Sequence, residues 1–197
     1  MSARVAGVVL AAGASRRTGI AKATATLDGE PLVARIAGTL RDGGCSPVVV
    51  VVGPPHEEAV RAAAERAGAR TIRNPDPDRG MLSSLQIALE ALPPEIEAAV
   101  VALVDHPRVR AGTVRALLAA VGRAPRVRPT FEGRAGHPYL VARSLFEPLL
   151  ALAPDTPDGA RPVLRAADTQ DVPVDDPAIL DDLDTLDALR AAGIDVT

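Results

Sequence analysis

Apolar, valine-rich runs alternate with alanine-rich stretches of helical spacing along most of this 197-residue chain. Runs with few polar positions are typical of strands that are buried on both faces of a parallel sheet. Strands of this kind that alternate with amphipathic helices predict βαβ units, with helices on both faces of the sheet. The pattern therefore predicts a three-layer α/β/α architecture with a mostly parallel sheet. We expect one domain over residues 1–197.

The predicted strands share a β-branched core, and they cover residues 5–10, 48–52, 69–73, 98–104, 126–131 and 138–141. The predicted helices share apolar positions three or four residues apart, and they cover residues 31–40, 56–67, 81–92, 113–121 and 143–152. The last third of the chain is more polar, and the pattern assigns no element after residue 152. Residues 153–158, rich in Pro and Asp, form its most loop-like stretch.

A loop of small residues follows the first strand and ends at Lys22, the only lysine in the chain. Small side chains let main-chain N–H groups approach phosphate oxygens, and glycine permits the positive φ angles that such a turn needs. The compact ammonium of lysine suits contact with a polyphosphate. The alternative is a surface lysine that a strong arginine bias has spared by chance. Neither the P-loop spacing nor the dinucleotide Gly-x-Gly-x-x-Gly is present.

Asp105 stands directly after the predicted strand 98–104, where ligands of open α/β sheets gather. Its carboxylate suits Mg²⁺, which prefers carboxylate, phosphate and water oxygens. A turn aspartate that caps the following backbone is the alternative. The acidic run 175–185 offers a second carboxylate, and its alternative is a solvated face with a helix N-cap at Asp184 or Thr185.

Composition narrows the classes of partner. Aromatic residues make up 2% of the chain and the net charge is −3, which argues against a nucleic-acid-binding surface and favours a small anionic partner. The single cysteine, Cys45, excludes an internal disulfide, and we expect a structural role for it. No stretch has the length and apolarity of a membrane span or the pattern of a signal peptide, so we predict no membrane contact and a cytoplasmic location.

The loop Leu10-Ala-Ala-Gly13 with its following Arg17, Gly19 and Lys22 resembles the signature of the MobA-like nucleotidyltransferases. Asp105-His106-Pro107 resembles the Asp-x-Pro motif of that family. The segments 74–75, 80–85 and 175–185 also resemble family motifs in the family's order, and the resemblance runs from residue 5 to about residue 189. Thr18, Ala21 and His106 depart from the usual Met, Pro and Gln.

The resemblance implies a Rossmann-like fold of the nucleotide-diphospho-sugar transferase type. It also implies an Mg²⁺-dependent enzyme, with Mn²⁺ as the alternative metal, that transfers NMP from an NTP to a phosphorylated acceptor and releases pyrophosphate. Ala12 is similar to the cytidylyltransferase branch, which uses CTP and molybdopterin, whereas the guanylyltransferase branch usually has glycine there. A molybdoenzyme or its maturation protein is the implied protein partner. The alternatives are a GTP-using enzyme of the same fold, a nicotinamide-dependent oxidoreductase and a nucleotide-binding protein without turnover.

Site residues follow from these motifs. The resemblance implies Arg17, Lys22 and Asp105 as catalytic residues, and Asp105 with Asp184 as metal ligands, Asp182 being a substitute for Asp184. His137 and Arg161 are expected on the acceptor side. Ordinary helix capping is the alternative role for the two serines of segment 80–85. The residues expected to contact the nucleotide share the first loop or one of the family motifs, and they are Leu10, Ala11, Ala12, Gly13, Arg17, Gly19, Lys22, Asn74, Gly80, Ser83, Ser84 and Asp105.

Overall fold

The computed structural model describes residues 3–13, 21–181 and 183–196. The strands, in chain order, are β1 (Val5–Leu10), β2 (Thr26–Leu27), β3 (Glu30–Pro31), β4 (Val48–Val52), β5 (Arg70–Arg73), β6 (Ala98–Leu103), β7 (Arg126–Phe131), β8 (Arg134–Ala135), β9 (Tyr139–Ala142), β10 (Thr169–Pro173) and β11 (Ile194–Asp195). The helices are α1 (Leu32–Asp42), α2 (Glu57–Arg66), α3 (Met81–Glu90), α4 (Ala111–Leu118), α5 (Phe146–Leu150), α6 (Arg161–Ala166) and α7 (Leu186–Ala191).

Eight of the described strands form one large sheet, in the order β10-β7-β9-β6-β1-β4-β5 with β8 paired to β7. β1 is parallel to β4 and to β6, and β4 is parallel to β5. β9 runs antiparallel to its neighbours β6 and β7, whereas β10 is parallel to β7. The sheet is therefore mostly parallel, as the sequence pattern predicts.

The two faces of the sheet carry separate apolar cores. Val9 and Val50 belong to a cluster that includes residues of α1, α2 and α4. Val8 and Val49 belong to a second cluster, which includes residues of α3, α5 and α6. Successive residues of a strand point to opposite faces, so an uninterrupted apolar run serves both cores at once. This arrangement confirms the three-layer α/β/α architecture.

A small antiparallel sheet, in the order β11-β2-β3, stands apart from the large one. It packs on a third apolar cluster that includes Leu27, Leu189 of α7 and Ile194. Thr185 is the N-cap of α7, and its hydroxyl accepts a hydrogen bond from the Ala188 N–H at 3.1 Å. The cluster therefore fixes the segment before α7 beside the segment that leads into β2.

The predicted elements between residues 5 and 142 are all present, and their ends differ from the predicted ones by at most three residues. The predicted helix 143–152 is instead a 3₁₀ turn, Arg143–Leu145, followed by α5. The pattern missed β8, α6, β10 and the small sheet, and it indicated α7 only through the alternative of a helix N-cap at Asp184 or Thr185, of which the structure has Thr185. β10 is an edge strand of sequence Thr-Gln-Asp-Val-Pro, and such a strand needs neither a buried apolar face nor a donor at its proline.

The structure also bears on the single cysteine and on membrane-spanning helices. Cys45 is buried, and this burial raises the pKa of its thiol to about 12, which agrees with a structural role. Within the described ranges, no helix is both long and apolar enough to cross a bilayer.

Candidate active site

Loops from three neighbouring parallel strands meet at one edge of the large sheet. Ala11 follows β1, Gly53 follows β4 and Asp105 lies two residues after β6. A Cβ atom on Gly53 would lie 2.8 Å from the carbonyl oxygen of Asn74 and 3.2 Å from the Cβ atom of Ala12. Glycine at position 53 therefore lets the first loop and the loop after β5 approach each other closely.

A cavity of about 380 Å³ opens at this edge, and we call it the first cavity. Its described lining residues come from the first loop, the start of α2, the start of α3, the end of β6 and the segment before α7. They are Leu10, Ala11, Ala12, Gly13, Ala21, Lys22, Ala23, His56, Val60, Pro77, Gly80, Met81, Ser84, Leu103, Val104, Asp105 and Asp184.

Lys22 is buried in this cavity wall, with 6% of its surface exposed. Its ammonium donates hydrogen bonds to the carboxylate of Asp105 and to Oδ1 of Asp184, the latter at 3.0 Å. Asp184 lies 162 residues from Lys22 in the sequence. Burying an ammonium is costly unless opposite charges compensate it, and the two carboxylates do so. The structure thus brings together three side chains that the sequence analysis selected from distant segments.

The two carboxylates also offer a fitting donor set for a divalent cation, because both already face one positive charge. Mg²⁺ and Mn²⁺ favour oxygen ligands, and Mg²⁺ is commonly held by one or two carboxylates with phosphate oxygens and water. The described residues contain no group of three or more His, Cys, Asp or Glu side chains that could hold an ion by themselves. The two carboxylates would therefore supply part of the coordination of such a cation.

Asn74 and Ser83 do not line the first cavity, although both were expected to contact the nucleotide. Asn74 is buried, and its Nδ2 donates to the hydroxyls of Ser83 and Ser84 at 2.9 and 2.8 Å. The Ser83 hydroxyl in turn donates to the carbonyl oxygen of Gly80 at 2.8 Å. Asn74 and Ser83 therefore connect the loop after β5 to the first turn of α3, while Gly80 and Ser84 line the first cavity. The expected nucleotide contacts of these four residues remain predictions.

A second cavity of about 480 Å³ adjoins the first, since Leu10, Gly80, Met81 and Leu103 line both. The two residues expected on the acceptor side, His137 and Arg161, both line it. The remaining described lining residues come mainly from α3, β7, β9 and the segment 154–164. They are Arg79, Leu82, Leu85, Arg126, Gly136, Tyr139, Pro154, Asp155, Thr156, Asp158, Gly159, Ala160 and Leu164.

The pKa of His137 is shifted strongly from its usual value. Burial, with smaller contributions from His106 and Arg126, lowers the pKa of His137 to about 4. Its ring stacks on His106 with centroids 4.9 Å apart, and it meets the Tyr139 ring edge-on at 5.5 Å. His137 is therefore a neutral imidazole at neutral pH, which limits it to hydrogen bonding and packing rather than charge pairing.

Several lining residues were missed by the sequence analysis. His56 was assigned only to a predicted helix and Arg126 only to a predicted strand, while Met81 stood in the motif segment 80–85 but not among the expected contact residues. Arg17 and Gly19, which were expected to contact the nucleotide, lie outside the described residues, as does Asp182.

The chain belongs to the MobA-like NTP transferase domain family, whose sequence profile matches residues 7–172. A relative in Paenarthrobacter nicotinovorans, named nicotine blue oxidoreductase, is 37% identical over 174 residues, which cover 82% of this chain and 81% of the relative. A probable molybdenum cofactor guanylyltransferase of Haloferax mediterranei is 32% identical over 117 residues, or 59% of this chain and 54% of that protein.

Solved structures show the same fold. The crystal structure of Rv0371c from Mycobacterium tuberculosis H37Rv superposes with a TM-score of 0.85 at 26% identity, and it covers 97% of both chains. A further crystal structure of Rv0371c is a complex with manganese, and it gives a TM-score of 0.78 at 24% identity over 95% of this chain and 97% of the other. The family resemblance drawn from the sequence motifs is confirmed.

Proposed function

We propose that this protein transfers an NMP unit from an NTP to a phosphorylated acceptor, in a reaction that depends on a divalent cation and releases pyrophosphate. The observation that carries this proposal is the Lys22 ammonium held between Asp105 and Asp184 in the first cavity. Membership of a nucleotidyltransferase family supports it. We place both cavities in one nucleotidyltransferase domain.

The residues of the first cavity would act by position and charge. The small residues Ala11, Ala12 and Gly13 leave room for a triphosphate to approach the main chain. Asp105 and Asp184 would hold the cation, which when bound would neutralise phosphate charge. Lys22 would supply a fixed positive charge for the leaving pyrophosphate, with Arg17 assisting. No covalent enzyme intermediate is required, because the acceptor phosphate itself can attack the α-phosphorus.

CTP is the proposed nucleotide, and molybdopterin is the proposed acceptor. Ala12 lines the first cavity, and its Cβ atom would lie 3.2 Å from a Cβ on Gly53. Ala12 is nearly completely buried in the apolar core, so the support for CTP is the similarity of this position to the cytidylyltransferase branch. GTP is the alternative, because one relative is named a probable molybdenum cofactor guanylyltransferase. His137 and Arg161 would contact the acceptor, and a molybdoenzyme or its maturation protein would receive the product.

Thermal unfolding with each of the four NTPs, with and without Mg²⁺ or Mn²⁺, tests the nucleotide half of the proposal. A ligand that binds the native state at a hundred times its Kd stabilises it by about 2.7 kcal/mol. We expect this stabilisation for CTP in the presence of metal, and we expect Asp105→Asn to remove the dependence on metal. Pyrophosphate release on addition of molybdopterin tests the transfer itself. The absence of stabilisation by any NTP with either metal would contradict the proposal.

A second candidate function is oxidoreduction of nicotine blue with a nicotinamide cofactor. It is favoured by the relative named nicotine blue oxidoreductase, which matches most of this chain. Fluorescence titration with NADH, followed by assay of NADH consumption with nicotine blue, separates the two candidates. NADH consumption without any response to NTPs would establish the second candidate in place of the first.

A further inference from the structure

Arg126 carries a half-buried guanidinium for which the described part of the chain supplies no carboxylate partner. Its Nη1 donates to the carbonyl oxygen of Leu164 at 3.0 Å, and its Nε is buried without an acceptor among the described residues. Its neighbour in the strand, Arg128, differs: it binds both carboxylate oxygens of Asp171, at 2.6 and 3.2 Å. The Asp171 carboxylate favours the charged guanidinium from a distance and the Tyr139 ring lies within cation–π range, yet burial lowers the pKa of Arg126 below its usual value. The charge is therefore only partly compensated, and a purely structural role explains Arg126 poorly.

The guanidinium of Arg126 can reach a ligand through the second cavity. Arg126 lines the cavity, and its guanidinium carbon lies 5.8 Å from the centroid of the buried Tyr139 ring. The other charged lining residues are exposed at the rim, and they are Arg79, Asp155, Asp158 and Arg161. Asp158 lies 3.8 Å from Arg161, so these two rim charges compensate each other. Among the described lining residues, Arg126 is therefore the charge that lies deepest.

The wall around Arg126 is apolar. Leu10, Leu82, Leu85 and Leu164 are buried residues that line the second cavity. Its volume of about 480 Å³ lies within the range of about 300–1,000 Å³ that is usual for pockets of small organic ligands. A free phosphate ion would leave most of this apolar surface uncovered, and a polyol would place hydroxyl groups against leucine side chains without hydrogen-bond partners.

We propose that Arg126 binds the anionic group of the acceptor, and that the acceptor carries this group on an apolar or planar body. The inference rests on the proposed function in one respect, namely that the occupant of the second cavity is the acceptor of NMP. The chemistry of the site is a phosphate or carboxylate that pairs with the guanidinium, and a ring system that packs on the leucines. Arginine is well suited to such bidentate pairing with either anion.

Isothermal titration of the full chain with model compounds tests this assignment. The probes are naphthyl phosphate, naphthoate, uncharged naphthol and glycerol phosphate. The proteins are the wild type, Arg126→Gln, Arg126→Lys and the matched control Arg128→Gln, which removes a paired arginine from the same strand. Naphthyl phosphate or naphthoate should bind the wild type and Arg128→Gln equally, and Arg126→Gln more weakly by about tenfold or more. Arg126→Lys should fall between them, because it keeps the charge and loses the fork.

The remaining comparisons decide between the possible explanations. Naphthol and glycerol phosphate should both bind at least about tenfold more weakly than the better anionic naphthyl probe, because each lacks one of the two recognition elements. Whichever anionic naphthyl compound binds more tightly identifies the anion. Without ligand, the melting temperature of Arg126→Gln should be no lower than that of the wild type, since the substitution removes a half-buried charge that is only partly compensated.

Failure of the inference is distinguishable from failure of the proposed function. If CTP with metal stabilises the wild type but Arg126→Gln binds the anionic probes unchanged, the assignment of Arg126 is wrong and the nucleotidyltransferase proposal stands. An equal loss of CTP affinity in Arg126→Gln would also overturn it, because Arg126 would then belong to the nucleotide site. If no NTP binds while the anionic probes still depend on Arg126, the anion site stands and the proposed function fails.

Discussion

Replacing Lys22 with methionine removes a buried ammonium and keeps most of the volume of the side chain. In the native structure this ammonium compensates the carboxylates of Asp105 and Asp184. Without it, two negative charges face each other across a partly buried site. Removal of one partner from a fully buried ion pair costs about 3–5 kcal/mol. Because the Asp184 side chain is 41% exposed, solvent screens part of the repulsion, and we expect a loss of about 1–3 kcal/mol.

A divalent cation should restore much of this loss, because it can take the place of the ammonium between the two carboxylates. The expected pattern is a melting temperature that falls in Lys22→Met when the buffer contains EDTA, and that recovers with Mg²⁺ or Mn²⁺ more than the wild type does. Turnover should not recover, since loss of one preorganised charge costs about 3 kcal/mol of transition-state stabilisation, or about a hundredfold in rate.

Two measurements check this reasoning: thermal unfolding in EDTA or metal, and pyrophosphate release at saturating nucleotide. Arg35→Met is a suitable control, because Arg35 lines neither cavity and forms only long contacts of 3.6 and 3.8 Å with exposed acids. Near-normal turnover in Lys22→Met would refute the proposed role of the ammonium. Equal responses of wild type and variant to metal would refute the placement of the cation between Asp105 and Asp184.

Three further predictions concern single residues. Because burial and neighbouring basic groups lower the pKa of His137 from 6.5 to about 4, the unfolded chain binds a proton in that interval that the native chain does not. The free energy of unfolding should thus be highest above pH 6.5 and should fall by about 3 kcal/mol as the pH drops toward 4. Denaturant unfolding at several pH values in this interval should show a smaller fall for His137→Gln. Gly136→Ala should destabilise the protein by more than about 2 kcal/mol, because the new Cβ would lie 2.1 Å from the carbonyl oxygen of Ile179. The control Gly112→Ala in α4 should leave stability unchanged or raise it. Equal denaturation midpoints of the two variants would contradict this prediction. Asn74→Ala should lower the free energy of unfolding by about 1–3 kcal/mol, because it removes the donor to two buried serine hydroxyls. It should also weaken CTP binding, measured by calorimetry. A variant with unchanged stability and affinity would exclude a positioning role for Asn74.

The sequence predicts the large sheet well because each of its central strands is a continuous apolar run. The five consecutive valines of β4 predict a strand that is buried on both faces. The three-residue unit Lys22, Asp105 and Asp184 was also predictable, since each follows or adjoins a recognisable motif. Their predicted roles remain proposals.

Features that depend on tertiary packing were not predictable from the pattern. The strands of the small sheet have two residues each, which is too short for any alternation to show. Asn74 has a side chain that suits a ligand, but its burial behind the cavity wall depends on how α3 packs against β4 and the loop after β5. Arg126 was overlooked because its missing counter-charge becomes visible only when the neighbours of β7 are known.

The position of Asp184 links the candidate active site to the small sheet. Asp184 lies between Leu183, which belongs to the third apolar cluster, and Thr185, which is the N-cap of α7. That cluster is much smaller than the two cores of the large sheet, so it should open at lower free energy. Such a local opening would carry one carboxylate away from the lysine while the eight-stranded sheet stays intact. Inactivation on heating should therefore precede global unfolding, and stabilising this small cluster should extend the working temperature of the protein without any change to its catalytic groups.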